Sequence, residues 1–456
     1  MRTTVFWLGA PAFGAAWVLV AACNSSGTAL PPQDGGASHD ASVITFDGPT
    51  PFDAGTFVDS ASPPDAGEAG DGEAGPPPPS RLLLTYNGSA SSELVAFGLA
   101  SKAVDGRMTY PDPIGTAFVG PTAPWLLEQT TDVVARLDSQ EPWKVDASWN
   151  VAMNDYADAG YAASYSDPQA VIVNVLGKAY VLRYTRNLVA VIDTTQAPDG
   201  GVPIASIDLS SELQAGGDGY VQPVAGVYVA SQNRVYVVLG NINRNDVVND
   251  GYNLECATTT PTVIAIDTTH DALVDLNGAA AGNGFPLGGF DPILGPGAIA
   301  FDASTGTSGR LLVLEAGCNE VDGDGGVGAL VKREVEAIDL ATGTVTELLD
   351  LTAGGYPGSL TYIDAHHAIV QTDTAYTWDP ATTTLGAAVT NAPDSFAYDG
   401  AGNLVGLSSN YAADGGFEGY SVVSVPLDGG TPATLGTNPF TLTNGFPGGV
   451  ALWPSP

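Results

Sequence analysis

Between Pro168 and Leu209 the chain carries four short apolar, largely β-branched runs separated by small and polar residues. Ala170–Val175 is followed by a Leu176-Gly177-Lys178 turn and then by Ala179–Tyr184, Leu188–Asp193 and Ile204–Leu209. Apolar runs of five or six residues rich in β-branched and aromatic side chains, punctuated by Gly, Asp and Thr, predict short strands joined by tight turns.

The unit recurs from residue 81 onward. One signature is a proline ahead of each innermost strand, at Pro121, Pro168, Pro223, Pro296, Pro357, Pro393 and Pro447. Proline suits a strand entrance, where its missing N–H costs no ladder bond, and the small residue that usually follows suits a crowded central wall. The other signature is the third strand. Leu188–Asp193, Thr262–Asp267 and Glu334–Asp339 are variants of one pattern, with weaker copies at Glu93–Leu99, Ala375–Asp379 and Tyr420–Leu427. The terminal aspartates Asp193, Asp267, Asp339 and Asp379 are placed to accept a turn N–H, a structural rather than catalytic duty.

Repeated four-stranded units of this kind are propeller blades. The first blade of the count, at Pro121, takes Trp125–Gln129, Asp132–Asp138 and Trp143–Val151. Five more begin at Pro168, Pro223, Pro296, Pro357 and Pro393. Arg81–Tyr86 reads as a second strand lacking a first, and Gly448–Trp453 as a first strand lacking a second. Joined, they make a seventh blade. The expectation is an all-β fold, a seven-bladed β-propeller of four-stranded antiparallel blades, closed by the C-terminal strand joining the N-terminal blade. The pattern over residues 81–456 resembles the YVTN-type seven-bladed propellers of bacterial envelope proteins, although the Tyr-Val-Thr-Asn signature itself is missing.

Arg2, the apolar Val5–Val20 and then Val20-Ala21-Ala22-Cys23 resemble a bacterial lipoprotein signal peptide. The resemblance implies a leader over residues 1–22 and a lipid on Cys23, an anchor sustained by about 0.8 kcal/mol per buried CH₂. Asn24 points by the same resemblance to the outer membrane, periplasmic or surface-exposed. Residues 24–80, rich in Ala, Gly, Ser, Pro and Asp and free of Lys and Arg, cannot bury enough apolar surface to fold. With the anchoring cysteine they form a tether (residues 23–80) with a reach of roughly 40 Å. The propeller then occupies residues 81–456.

The chain of 456 residues carries a net charge of −36, and 41 acidic against 13 basic residues leave −28 on residues 81–456. No basic stripe exists to follow a phosphate backbone, which excludes nucleic acid as a partner. The second-to-third-strand segments Gly240–Pro261, Glu315–Arg333 and Ser408–Gly419 are long and share one face. Long loops on a rigid scaffold make that the expected working face. Cys256 and Cys318 fall in two of them and are expected to pair in an oxidising compartment. The same loops hold Asp246, Asp250, Glu255, Glu320, Asp322 and Asp324. Asp322 and Asp324 have cation-ligand spacing without a full EF-hand, so Ca2+ is the one cofactor the sequence raises, and a solvated acidic loop is the preferred reading.

The four histidines, His39, His270, His366 and His367, lie away from the long-loop face or in the tether. No catalytic constellation stands out. Trp125, Trp143 and Trp149 read as blade core. The sequence therefore reads as a lipid-anchored, non-catalytic binding module, presenting its long loops to a protein, glycan or small ligand. The alternative is a metal-dependent lactonase- or hydrolase-like propeller enzyme, whose channel carboxylates hold the metal.

Overall fold

The computed structural model describes residues 44–45, 80–152, 165–244, 254–256, 258–278, 283–321, 326–412, 415–442 and 445–454. Its strands form seven antiparallel sheets arranged as blades. In chain order around the ring, blade 1 is Gly445–Trp453, Arg81–Gly88, Ser92–Gly98 and Ala103–Tyr110, and blade 2 is Phe118–Val119, Pro124–Glu128, Val133–Leu137 and Val145–Asn150. Blade 3 is Pro168–Val173, Lys178–Arg183, Leu188–Asp193 and Ala205–Asp208, and blade 4 is Pro223–Val229, Arg234–Leu239, Thr262–Asp267 and Ala272–Val274. Blade 5 is Ile299–Asp302, Arg310–Val321, Val327–Asp339 and Val345–Asp350. Blade 6 is Ser359–Asp364, His367–Gln371, Ala375–Trp378 and Leu385–Ala388, and blade 7 is Ser395–Tyr398, Asn403–Tyr411, Phe417–Pro426 and Ala433–Thr437. A two-residue strand, Ile44–Thr45, pairs with Ala205–Ser206 at the outer edge of blade 3.

The first strands of blades 3 to 7 touch in sequence, and that of blade 7 touches Gly445–Trp453. Glycine permits this crowding. A Cβ on Gly226 would come within 3.0 Å of Ile172 on the neighbouring blade, and one on Gly297, at φ +96°, within 3.1 Å of Ser359. The cores lie between sheets. Trp125 and Trp149 stack at 5.5 Å within one such layer, both buried, as the sequence led us to expect. Ring closure is also as expected, with Arg81 opposite Trp453 and Leu84 opposite Val450.

The third-strand aspartates behave as structural caps. Asp193 accepts from Thr195 N–H, Asp267 from Thr269, Asp339 from Ala341 and Thr342, and Asp379 from Ala381. Val175 and Leu176 leave the first strand of blade 3 early and are exposed, because the Asn174 side chain accepts from Leu176 and Lys178 N–H and closes the turn there.

Two expectations need correction. Pro121 does not lead into an innermost strand. It lies in the turn between Phe118–Val119 and Pro124–Glu128, and the first strand of blade 2 already begins to pair at Ile114, opposite Glu128. Pro113 is therefore the entrance proline. The segments Glu315–Arg333 and Ser408–Gly419 are not loops over most of their length. Strands run to Val321 and resume at Val327 in one, and run to Tyr411 and resume at Phe417 in the other. Both are hairpins that extend the ladder beyond the ring.

Candidate functional site at the mouth of the channel

In each blade the first strand runs away from the face that bears the extended hairpins and the second runs back to it. The connections between blades and those between second and third strands therefore gather at one end of the channel. Asp167 precedes the first strand of blade 3, and Tyr184 follows the second. Asp218, Tyr220 and Arg244 hold equivalent places on blade 4, Asp291 and Arg333 on blade 5, and Tyr356 ahead of blade 6. Tyr184 feels the charges of Arg244, Asp291, Asp167 and Asp218, and Tyr356 those of Asp291, Arg333 and Tyr184. These side chains, drawn from blades 3 to 6, therefore lie near one another at this end of the ring.

Arg244 is the best-fixed member. Its Nε donates to Asp218 Oδ2 at 2.6 Å, and its guanidinium lies 5.3 Å from the Tyr184 ring centre and 5.0 Å from that of Tyr220. Burial disfavours its charge, but the Asp218 bond and the neighbouring Tyr184 outweigh this and hold its pKa above the usual arginine value. Asp218 is itself held by the Tyr220 N–H and the Gln222 amide. Across the mouth Arg333 stacks on Tyr356 at 5.6 Å and donates to the carbonyls of Ala316, Gly354 and Gly355.

Two acids here are held well above the usual carboxylate range. Burial pushes Asp167 up to about 7, against the pull of the Gln169 amide, and burial alone takes Asp291 to about 7. Tyr356 is 40% exposed, yet burial pushes its hydroxyl up. The two observations agree if water reaches it inside a recess walled by protein. The arrangement offers aromatic faces, fixed cations and protonatable carboxyls in one place, the composition of a small-molecule site. Two surface clefts, beside Gln232 and Ser308 and beside Arg136 and Asp138, open at the opposite end and bring no comparable set together.

Of the residues singled out in the sequence, Cys256 and Cys318 do come together. They form a disulfide that ties the second-to-third-strand connection of blade 4 to the hairpin of blade 5. Glu255 and Asn319 flank it in a short parallel bridge. Cys23, Asp322, Asp324 and His39 lie outside the described residues. His270 and His366 sit in turns at the far end, where His367 begins the second strand of blade 6; they contact Asp267, Asp379 and Asp364 respectively. The mouth residues themselves escaped the sequence reading, since no motif groups them. The usable signal was arginine in a chain with few bases.

No family model and no curated protein matches the chain. Solved structures do. The periplasmic gluconolactonase PpgL of Pseudomonas aeruginosa aligns at 14% identity and TM-score 0.47, over 83% of this chain and 99% of its own. A functionally unknown protein from Desulfotomaculum acetoxidans aligns at 12% and 0.45, over 77% and 98%. AztD from Citrobacter koseri aligns at 10% and 0.40, over 82% and 98%. The likeness is one of fold.

Proposed function

We propose that this chain is a lipid-anchored envelope propeller that binds a small polar ligand, a glycan fragment or sugar acid, at the channel mouth. The carrying observation is Arg244, clamped between Tyr184 and Tyr220 by Asp218. A fixed guanidinium beside tyrosine faces suits hydroxyl- and carboxylate-bearing rings, which stack on the aromatics and accept from the cation. Thermal-shift and calorimetric screening of the full chain against neutral and acidic sugars tests it. A hit should weaken at least tenfold in Arg244→Ala and Tyr184→Ala, and a hit indifferent to both variants sinks the reading.

A second reading is favoured by one observation. Asp167, with its carboxyl near 7, is suited to take a proton from water and return it. Hydrolysis of a sugar lactone would use that property. Turnover of such a lactone, abolished in Asp167→Asn with binding retained, would establish an enzyme. Binding without turnover leaves the module.

A further inference from the structure

Between blades 4 and 5, beside the backbone of Asp291 and Arg333, three glutamates meet. Glu315 on the second strand of blade 5 lies opposite Glu334 on the third, and Glu336 follows two residues on, so all three share one face of the sheet. Their exposures are 0%, 9% and 3%. One carboxylate oxygen from each lies within 4.8 Å of the others, and this is the sole such group among the described residues.

Very little neutralises them. Gly288 N–H and Gly289 N–H donate to Glu336. Neither carboxylate oxygen of Glu315 has a hydrogen-bond donor. Arg333, the nearest cation in sequence, turns to the other face of the sheet, where it bonds carbonyls and stacks on Tyr356. The connecting segment from blade 4 is shaped around the acids. A Cβ on Gly289 would stand 1.7 Å from Glu315 Oε2, and one on Gly288 2.9 Å from Glu336 Oε1. A side chain at either position would displace these carboxylates.

Buried carboxylates without a cation must either take up protons or hold a metal. We propose that Glu315, Glu334 and Glu336 form a calcium site that fastens blade 4 to blade 5. The donors are all hard oxygens, with neither histidine nor thiolate among them, which selects Ca2+, Mg2+ or Mn2+ over zinc or copper. Ligand geometry then favours calcium, which accepts irregular sets of carboxylate oxygens, whereas Mg2+ demands a near-ideal octahedron and keeps most of its waters. Burial raises the proton affinity of all three glutamates, so protons and calcium compete for them.

The test is calorimetric titration of the chelator-treated full chain with CaCl2 at neutral pH, with thermal melts alongside. One Ca2+ should bind per chain and raise the melting temperature. Glu315→Gln and Glu336→Gln, checked for folding by their calcium-free melts, should each weaken binding at least tenfold. The double variant Asp322→Asn, Asp324→Asn should bind as the parent does. No calcium uptake and no melt shift in the parent chain would overturn the proposal in favour of a proton-sharing triad. So would uptake that survives in the glutamate variants and disappears in the double aspartate variant.

Discussion

Arg81 and Trp453 face each other across the antiparallel pair that closes the ring. The Trp453 indole N–H also donates to the Ser139 carbonyl of blade 2 at 2.8 Å. The last strand thus holds the first blade and its neighbour together, and the whole ring depends on it. Trp453 is 6% exposed, so Trp453→Ala should cost about 3–5 kcal/mol. Removal of residues 445–456 should abolish cooperative unfolding, read by urea denaturation followed by tryptophan fluorescence. A truncated chain that melts like the full one would contradict ring closure.

The Cys256–Cys318 bond closes a loop over a separation of 62 residues. Loop-closure entropy assigns such a bond about 4 kcal/mol. Cys256→Ser with Cys318→Ser should lower the denaturation midpoint accordingly, and proteolysis should begin at the two connections that the bond joins. Thiol labelling of unreduced protein should find both positions blocked.

Asp167 predicts a pH dependence with a definite sign. Its carboxyl sits at about 7 in the fold, against 3.8 ordinarily. Between about pH 4 and 7 the native chain therefore keeps a proton that the unfolded chain has lost. Stability should fall as pH rises through that window, the opposite of a salt-bridged aspartate. Asp167→Asn should flatten the slope and raise the melting temperature on the alkaline side. An unchanged slope would mean that the carboxyl is better hydrated than its surroundings suggest.

Lipidation is checked by metabolic labelling with a fatty acid. The label should appear in the parent chain and be absent from Cys23→Ala, with the variant released from the membrane fraction. Label retained by the variant would remove the anchor from the proposal.

The blades were legible because their cues are local. Strand periodicity, entrance prolines and terminal aspartates each act within a few residues, and the four strands of blade 3 and the third strands of blades 4 and 6 were placed from them to within two residues. Blade 2 misled because two prolines, Pro113 and Pro121, both precede apolar runs, and only pairing partners decide which run is innermost. The hairpin over Glu315–Arg333 was misread because its Gly- and Asp-rich tip looks like loop, while the β-branched and charged residues on either side pair as strand. Register was invisible for the same reason. Nothing local says that Glu315 stands opposite Glu334. The mouth was the hardest to foresee, since Asp167, Asp218, Arg244, Asp291 and Tyr356 become neighbours only when the circle shuts.

The chain passes into the ring at Arg81, beside the Gly98–Ala103 turn and at the finishing end of Gly445–Trp453. That is the rear of the wheel, whereas Tyr184, Arg244 and Tyr356 look out from its front. Under the proposed anchoring, residue 81 is where the tether joins the disc, at the end opposite the aperture.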